Sequence, residues 1–480
     1  MRAQNLRAPQ LLPLPSHAAT LPGAFVLADP VRIVVPPMAP RLREVADLLA
    51  GVIRARTGYS VRVGTSGPSA AAIVLDTALL AANREAYELL VSVAGITIHG
   101  ASSAGVHWGV QTLRQLLPPD FEDARGRRPA QWPIPSVEIR DAPRFGWRGS
   151  MVDAGRHFFP ASAIKRQIDL LSRYKMNVFH WHLTDDQGWR IEIPRYPRLT
   201  VIGAWRTEAD GSRYGGFYTQ KEIRDVVEFA RLRGVTVVPE IEMPGHSSAA
   251  IASYPDLGCT GAAIPVPTQW GVFPDIYCAG NERTFEFLTR VLDEVMALFP
   301  SQYIHIGGDE VPKERWKSCA SCQDVMRREG LANETELQGW FVRRIGDYLA
   351  VHGRKLIGWD EVLQGGLFPG ATVQAWEDTS FTRSAVESGH DVIASPSGWT
   401  YFNRSARELT LDEVYRFEPV PPSFDSVAAR RVLGGEAALW SEYITSPANL
   451  ELMAFPRMLA LAEVLWSDQR RDSAAFHARV

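Results

Sequence analysis

The stretch YIHIGGDE at 303–310 has the pattern of a buried parallel strand that ends in two acids, Asp309 and Glu310. Runs of the same kind recur along the second part of the chain, each apolar at its start and most ending in acids, His or Trp. The other runs are FGWRGSMVDA (145–154), NVFHWHLTDD (177–186), TVVPEIEMPGH (236–246), KLIGWDE (355–361), TVQAWED (372–378), DVIASPS (391–397) and VLGGEAALWSE (432–442).

Amphipathic segments separate these eight runs. Thr219 and Glu222 form the pattern of a capping box, which predicts a helix that ends at Gly234. The spacing of apolar residues predicts two further helices, over 281–298 and 334–352. Strand and helix alternating eight times predict a (β/α)8 TIM barrel of the α/β class. In this fold the carboxyl ends of the strands form the active-site face, so their polar and aromatic residues are expected to converge.

Residues from about 20 to 140 predict a smaller α+β unit with no clustered catalytic residues. The proline-rich segment 118–143 is interpreted as the connection to the barrel. The expected organisation is an α+β N-terminal accessory domain with its linker over 1–142 and a catalytic domain over 143–480. The predicted elements of the first domain are strands at 31–35 and 72–77, helices at 41–56 and 106–117, and a hairpin over 86–100 that turns at Ala94-Gly95.

Composition excludes several classes of protein. The 480 residues are 46% hydrophobic and 22% charged, as in an ordinary globular protein. The net charge of −3 gives no basic field for nucleic acid or an anionic membrane, and the longest apolar run, 70–82, is broken by Asp76. The first residues have no continuous apolar core, so they do not predict a signal peptide. Two locations stay open, the cytoplasm or secretion with a leader absent from this sequence, and the oligomeric state is open as well.

Four cysteines occur in the chain. Cys259 and Cys278 flank a loop rich in Gly and Pro, and they suit either a disulfide in an exported protein or two free thiols. Cys319-x-x-Cys322 resembles half of a zinc site or a redox pair. A second C-x-x-C or a His pair at zinc spacing is missing, so the motif is interpreted as a local structural feature and no metal is expected.

The adjacent acids Asp309 and Glu310 are the sharpest candidates for catalysis. Successive side chains of a strand point to opposite faces, so the pair is not expected to flank one bond as the usual acid and nucleophile of glycosidases do. A division of labour suits them better: one carboxyl protonates a leaving oxygen and the other holds a different part of the substrate. The alternative is a capping Asp followed by a solvated Glu.

His180 and His182 end the second strand and share one face, which is a candidate metal pair. The fifth and sixth strands offer no further His, so structural histidines are the favoured interpretation. Asp185 is expected to orient a neighbouring His. His246, at the end of the third strand, is expected to reach both Asp185 and a carboxyl on the fourth, and the alternative for His246 is a capping residue after a Pro-Gly turn.

Four tryptophans near the ends of strands five to eight predict a box of flat apolar faces. Pyranose rings pack on such faces, while their hydroxyls need charged partners such as Arg156 and Glu442. A carbohydrate-binding protein without activity would have the same box, and only the pair of acids argues for turnover. The tryptophans are Trp359, Trp376, Trp399 and Trp440.

Seven motifs, in order, resemble those of the glycoside hydrolase family 20 β-N-acetylhexosaminidases, and the resemblance covers most of 145–466. The segment 20–140 resembles the α+β N-terminal domain of that family. The motifs are RGSMVDAGRHFFP, HWHLTDDQGWR, PEIEMPGH, IHIGGDE, GWDE, VQAWED and GGEAALWSE.

The resemblance implies substrate-assisted catalysis, in which the acetamido oxygen of the substrate attacks C1 and forms an oxazolinium. It implies Glu310 as general acid and then base, and Asp309 as the group that holds the acetamido N–H. It implies an oligosaccharide or glycoconjugate with a terminal β-N-acetylhexosamine as partner, and no metal or organic cofactor. The remaining implied residues are Asp185 and His246 in a relay to the acid, Arg156 and Glu442 on sugar hydroxyls, Trp359, Trp376 and Trp440 as a wall, and Tyr401 on the acetamido carbonyl.

The chain departs from the family where many members have Tyr-x-Asp and this sequence has Tyr401-Phe402-Asn403, followed by Arg404. A neutral amide removes a negative charge near O6 of the sugar, and Arg404 could add a positive one. The departure leads to the hypothesis that the enzyme accepts or prefers 6-sulfated N-acetylglucosamine, with neutral drift as the alternative.

Two alternatives to the whole assignment are a metal-dependent barrel hydrolase that uses His180 and His182, and a carbohydrate-binding barrel without activity.

Overall fold

The computed structural model describes residues 9–66, 71–123, 131–366, 368–468 and 471–480. A seven-stranded sheet with two helices comes first, and a closed barrel of eight strands follows. This architecture confirms the predicted fold class, a (β/α)8 barrel preceded by a smaller α+β unit.

The first unit is a mixed sheet in the order β1-β7-β5-β6-β4-β2-β3. Helix α1 starts with a proline at its first turn and ends at Gly58 in the left-handed region, which is a favourable pair of ends for a helix. The sequence pattern predicted β2, β4, the β5–β6 hairpin and both helices, and it missed β1, β3 and β7. The bounds are β1 (His17–Leu27), β2 (Val31–Val34), β3 (Val61–Gly64), β4 (Ala72–Asp76), β5 (Tyr87–Ser92), β6 (Gly95–Gly100), β7 (Trp132–Asp141), α1 (Pro40–Thr57) and α2 (Ser103–Leu116).

The segment 118–143 is not a simple connection, because β7 lies in the sheet between β1 and β5. The linker interpretation is therefore wrong for residues 132–141, and residues 124–130 lie outside the described part of the chain. Pro133 and Pro135 pair only with β1, while the pairing with β5 begins at Val137. This placement explains how a strand with two prolines fits inside a sheet.

The last residue of β7 anchors the sheet to the barrel. Asp141 accepts hydrogen bonds from Lys175 Nζ at 2.8 Å, from the Tyr87 hydroxyl at 2.8 Å and from Trp466 Nε1 at 2.9 Å. All four side chains are buried, so the charge of Lys175 is balanced inside the interface. Trp466 and Lys175 belong to the barrel unit, and Tyr87 to the sheet, so the contact fixes one unit against the other.

Eight parallel strands close the barrel, with β15 paired to β8. All eight strand runs expected from the sequence are present. Two short ribbons join Thr184–Asp185 to Gly188–Trp189 and Trp205–Thr207 to Arg213–Gly215. The barrel strands are β8 (Trp147–Asp153), β9 (Val178–His182), β10 (Thr236–Glu240), β11 (Tyr303–His305), β12 (Lys355–Trp359), β13 (Thr372–Ala375), β14 (Asp391–Ala394) and β15 (Val432–Leu439).

The helices that cover the barrel include the three predicted ones. The capping box of Thr219 and Glu222 is formed, and Asn281 and Asn333 cap the other two helices. In the described residues, none of the helices combines the length and apolarity of a membrane span. The bounds are α3 (Ala161–Arg173), α4 (Gln220–Leu232), α5 (Ser248–Ser253), α6 (Glu282–Leu298), α7 (Glu314–Ser318), α8 (Ala320–Glu329), α9 (Glu334–Val351), α10 (Thr379–Glu387), α11 (Ser397–Thr400), α12 (Leu411–Arg416), α13 (Ser426–Ala429), α14 (Pro447–Ala454), α15 (Arg457–Trp466) and α16 (Ser473–His477).

Candidate active site

A cavity of about 170 Å³ opens where the carboxyl ends of the barrel strands meet. Pockets for drug-sized ligands usually measure about 300–1,000 Å³, so this one suits a single sugar unit. Nine of the twelve site residues expected from the sequence line it, and Asp185, His246 and Arg404 do not. The lining residues are Arg156, Asp309, Glu310, Trp359, Trp376, Tyr401, Asn403, Trp440 and Glu442.

Two glycines turn the chain before the adjacent acids. Strand β11 ends at His305, and Gly307 and Gly308 have φ of 69° and 93°, a region that other residues rarely adopt. A Cβ at position 307 would also overlap the Glu242 carboxyl. The alternation of a strand therefore no longer holds at Asp309 and Glu310, and the expectation that they face opposite ways is wrong because both line one cavity.

His246 lies between the two acids and the second strand. Its Nε2 is 3.6 Å from Asp309 Oδ2 and 3.5 Å from Glu310 Oε2. Its Nδ1 is 3.4 Å from Asp185 Oδ1 and 3.1 Å from Asp186 Oδ2. The chain of contacts predicted for Asp185, His246 and the acids is therefore present, with Asp186 as a second carboxylate that the prediction omitted.

Both His246 and Glu310 adopt positive φ, at 44° and 47°. Such a backbone conformation is costly for a residue with a side chain, and it persists where the surroundings impose it. At Glu310 the backbone amide donates to Glu361 Oε1 at 3.2 Å. At Glu310 the side chain lines the cavity, and at His246 the side chain contacts both of the acids that line it.

A buried network of carboxylates and imidazoles lies below the cavity. His182 Nε2 bonds to Asp185 Oδ2 at 2.9 Å, and its Nδ1 bonds to Glu240. His180 Nδ1 lies 2.7 Å from Glu436 Oε1, and its Nε2 lies 3.0 Å from Glu240 Oε2. Each ring nitrogen of this His pair thus faces a carboxylate within a buried polar network.

The pKa values of the two acids in the site are shifted in opposite directions. Burial raises the pKa of Asp309 to about 7, although the nearby His246 opposes the shift. The hydrogen bond from His246 is the main cause that lowers the pKa of Glu310. Burial acts against a charge on His246, but Asp185 and its other partners raise the pKa of His246 well above the ordinary value. Between the pKa values of the two acids the pair binds one proton, and the opposite shifts favour Asp309 as its carrier.

Three tryptophans and Tyr401 form one wall of the cavity. The rings of Trp359 and Trp440 lie 5.6 Å apart, and Trp376 stacks on Tyr401 at 6.1 Å with 17° between the ring planes. Trp399 is not part of this wall: it lies on α11 and packs against Phe417 at 6.4 Å. The predicted box therefore contains three of the four tryptophans, because the chain beyond β14 turns into a helix before Trp399.

Charged and amide groups occupy the edges of the cavity. Arg156 is buried, lies 3.0 Å from Asp185 Oδ2 and 3.8 Å from Glu442 Oε1, and its guanidinium packs 4.9 Å from the Trp440 ring centre. Asn403 reaches the cavity, but Arg404 is exposed and does not line it. The structure therefore does not place Arg404 at the cavity, where the hypothesis of a contact with O6 would need it.

Three acids beside the site were not singled out from the sequence. Glu361 Oε2 accepts from Trp376 Nε1 at 3.0 Å, and Asp360 Oδ2 accepts from the Trp376 amide at 2.9 Å, so the two hold this ring in place. Glu242 lies below Gly307, where burial raises its pKa well above the ordinary value. The signal was available, because these acids stand in the GWDE and PEIEMPGH motifs at strand ends.

A closed barrel with a single-sugar cavity, paired acids and an aromatic wall is the arrangement expected of a carbohydrate-active protein. The profile of glycosyl hydrolase family 20, catalytic domain, matches residues 145–469, and that of domain 2 of the same family matches 8–142. The chain belongs to glycosyl hydrolase family 20.

Several characterised proteins are similar to the chain over nearly all of its length. A β-hexosaminidase of Porphyromonas gingivalis is 43% identical over 486 residues, which covers 98% of this chain and 62% of that protein. A β-hexosaminidase of Vibrio furnissii is 35% identical, covering 94% of this chain and 76% of that protein. The chain therefore spans less than two thirds of the length of the first of these relatives.

Solved structures are similar to the chain as well. An exo-β-N-acetylglucosaminidase of Vibrio harveyi in complex with N-acetylglucosamine is 33% identical, with a TM-score of 0.87 over 98% of this chain and 76% of that one. A mutant β-hexosaminidase of Streptomyces plicatus in complex with its product, GlcNAc, is also 33% identical, with a TM-score of 0.88 over 100% of this chain and 95% of that one. The likeness therefore extends across both the sheet unit and the barrel.

Proposed function

We propose that the chain is an exo-acting β-N-acetylhexosaminidase that removes a terminal β-linked GlcNAc or GalNAc with retention of configuration. The observation that carries the proposal is that Asp309 and Glu310 line a cavity sized for one sugar and that His246 contacts both of them. The relatives named above bear hexosaminidase names, which supports the same substrate class. An exo mode of action suits the cavity, because it has room for one terminal unit and not for a chain running through it.

The proposed reaction uses the substrate's own acetamido group as nucleophile. Its carbonyl oxygen attacks C1 while the C1–O bond to the leaving group breaks, and Glu310 gives a proton to the departing oxygen. An oxazolinium intermediate forms, and the Glu310 carboxylate then takes a proton from a water molecule that attacks C1 and reopens the ring. Two inversions at C1 give net retention. Because the nucleophile comes from the substrate, adjacent acids with different tasks are sufficient.

Asp309 is assigned to the acetamido N–H. As a carboxylate it accepts that hydrogen bond, holds the carbonyl oxygen toward C1 and stabilises the positive charge that develops on the nitrogen. Tyr401, whose ring stacks on Trp376, is assigned to the acetamido carbonyl. Trp359, Trp376 and Trp440 form the wall against the N-acetyl group and the ring.

Arg156 and Glu442 are assigned to sugar hydroxyls at the cavity edge. Asp185 and His246 are assigned as positioning residues for Glu310, since His246 bridges the buried Asp185 to both acids. The charge on Asp185 keeps His246 protonated, so His246 acts as a donor toward the acids.

The proton of the acid pair has to move when the sugar binds. In the free site the pKa shifts favour Asp309 as its carrier, whereas the proposed roles need Asp309 ionised and Glu310 protonated. The acetamido N–H favours the Asp309 carboxylate, because it donates to the charged form. A leaving group placed over Glu310, whose side chain is 43% exposed in the free site, would desolvate this acid and raise its affinity for the proton. Substrate binding thus prepares the acid.

The decisive experiment compares two nitrophenyl β-glycosides that differ only at C2, the N-acetylglucosaminide and the glucoside. Rapid release from the first, with retention at C1 by NMR and at most trace release from the second, is the expected result. Equal rates on both substrates or inversion at C1 would contradict substrate assistance. Absence of hydrolysis would instead favour the carbohydrate-binding alternative. A chelator that abolishes hydrolysis while thermal stability is unchanged would favour the hydrolase that uses His180 and His182.

A finer proposal concerns a 6-sulfate on the sugar. Asn403 presents an amide to the cavity where many relatives have an acid, and this removes one source of repulsion toward an anion. The comparison of kcat/KM on nitrophenyl GlcNAc and its 6-sulfate tests it, with Asn403→Asp as the repulsive control. We expect the wild type to hydrolyse the sulfated substrate and Asn403→Asp to lose that activity selectively. A strong wild-type preference for the plain sugar, unchanged in Arg404→Ala, would contradict the proposal.

A further inference from the structure

The four cysteines of the chain lie in one cluster beside the barrel, although up to 63 positions separate them in sequence. Cys278 Sγ is 3.6 Å from Cys322 Sγ and 3.7 Å from Cys319 Sγ, and Cys259 Sγ is 3.8 Å from Cys322 Sγ. All four sulfur atoms lie within 4.8 Å of one another. The two pairs identified separately in the sequence therefore form a single site, which the interpretation of C-x-x-C as a local feature did not anticipate.

The spacing of the sulfur atoms fits a single metal ion better than disulfides. Tetrahedral zinc with Zn–S bonds of about 2.3 Å places neighbouring sulfurs about 3.8 Å apart. A disulfide needs about 2.05 Å, and all four cysteines are unpaired. Cys278 and Cys322 are buried and the other two are partly buried, so the cluster is largely closed to solvent. A closed set of four thiolates is characteristic of structural rather than catalytic zinc.

The backbone around the sulfurs is built for close approach. Cys319 is the N-cap of α8 and Cys322 lies in its first turn, where the helix end favours thiolates. Gly280 lies against the amide of Cys322, and a Cβ at position 280 would overlap this backbone. The backbone amide of Cys278 donates a hydrogen bond to Leu257 O at 2.8 Å, which joins the segment of Cys278 to the segment just before Cys259.

We propose that Cys259, Cys278, Cys319 and Cys322 bind one structural Zn²⁺. On binding, the four thiols release their protons to solvent and the ion takes four thiolate ligands in a tetrahedron. The site is separate from the sugar cavity, since none of the four residues lines that cavity. Zinc is favoured because soft thiolate sets in tetrahedral geometry select it.

The metal would hold both ends of the loop between Cys259 and Cys278. Residues 264–269 and 273–275 of this loop line a second cavity of about 610 Å³, shared with Arg206 and Ser248. Trp270, in the same loop, packs 5.4 Å from the ring of His157, the neighbour of Arg156 in sequence. The zinc ion would thus anchor the loop between Cys259 and Cys278 to α8, and this loop reaches His157 beside the sugar cavity.

The test measures metal content by elemental analysis on the full chain, purified without a polyhistidine tag. We expect about one zinc per chain in the wild type and in two controls, Ser321→Ala and the inactive Glu310→Gln. The double variant Cys319→Ser/Cys322→Ser should lose the metal and unfold at lower temperature. Because Glu310→Gln keeps its zinc while losing hydrolysis, failure of this proposal and failure of the proposed function are distinguishable.

Cobalt provides a second readout that does not depend on the variants folding. Wild-type protein stripped of metal under reducing conditions and titrated with Co²⁺ should develop thiolate-to-cobalt charge transfer and the intense visible bands of tetrahedral cobalt, with an end point of one equivalent. The proposal would be overturned if the wild type were purified without metal and failed to develop this cobalt spectrum. It would also be overturned if mass spectrometry found two disulfides among the four cysteines, or if the double variant kept as much zinc as the wild type.

Discussion

The two halves of the barrel rim supply different chemistry to one cavity. Strands β8 to β11 and the loops after them supply the titrating groups, among them His246, Asp309 and Glu310, linked by a buried carboxylate–imidazole network. Strands β12 to β15 and their loops supply Trp359, Trp376, Trp440 and Tyr401. Under the proposed roles, the groups that transfer protons lie in the first half and the apolar wall for the sugar lies in the second. Substitutions of the acids and of the wall should therefore change different kinetic constants.

The largest expected effect is in the charged half, at Glu310. Glu310→Gln keeps the shape of the side chain but removes the proton donor, so kcat should fall roughly a thousandfold, within the range of general acid–base catalysis. Steady-state kinetics on nitrophenyl GlcNAc measure this. A dinitrophenyl substrate, whose leaving group needs little protonation, serves as the control and should lose less in the glycosylation step. Equal losses on the two leaving groups in that step would exclude Glu310 as the acid.

The next effect in size is expected at Asp309. Asp309→Asn retains the volume but removes the charge that stabilises the developing oxazolinium, and kcat should fall about a hundredfold. The affinity for a thiazoline analogue of the intermediate should fall in parallel, because the analogue needs the same carboxylate. If binding of the analogue were unchanged, Asp309 would not be the partner of the acetamido nitrogen.

The third prediction concerns pH: above about pH 7, kcat/KM should fall about tenfold for each further pH unit. One proton is shared by the acid pair, and the upper pKa, on Asp309, is about 7. As pH rises through this value the pair loses its only proton, so kcat/KM should fall above about pH 7, a macroscopic property of the pair. Rate profiles in buffers of constant ionic strength measure it. In Asp309→Asn only Glu310 can bind this proton, so the limb should move to lower pH, and an unchanged limb there would assign it to another group.

The sequence predicted the strands of the barrel more completely than those of the first unit. The eight strands were predictable because each is buried on both sides and ends in polar residues, a pattern local to the chain. Strand β7 was missed because Pro133 and Pro135 are turn signals in isolation, and only the pairing with β1 makes them acceptable.

Within the site, local motifs located the residues, but longer-range geometry decided their arrangement. The turn at Gly307 and Gly308, which brings both acids to one side, follows from backbone conformation that strand alternation does not predict. Trp399 was misplaced because a helix begins directly after β14. The cysteine cluster depends on three segments meeting in space, so no local spacing reveals it.

The smallest predicted effect is in the aromatic half, at Trp376. Trp376→Ala removes a ring that stacks on Tyr401, and an aromatic contact is worth about 0.5–1.5 kcal/mol, so KM should rise roughly two- to tenfold while kcat changes less than about twofold. Trp399→Ala is the matched control, since Trp399 packs outside the cavity and its loss should leave KM unchanged. If Trp376→Ala lowered kcat as strongly as Asp309→Asn does, the separation of the two halves would fail, because the wall would then act in the transition state rather than in binding.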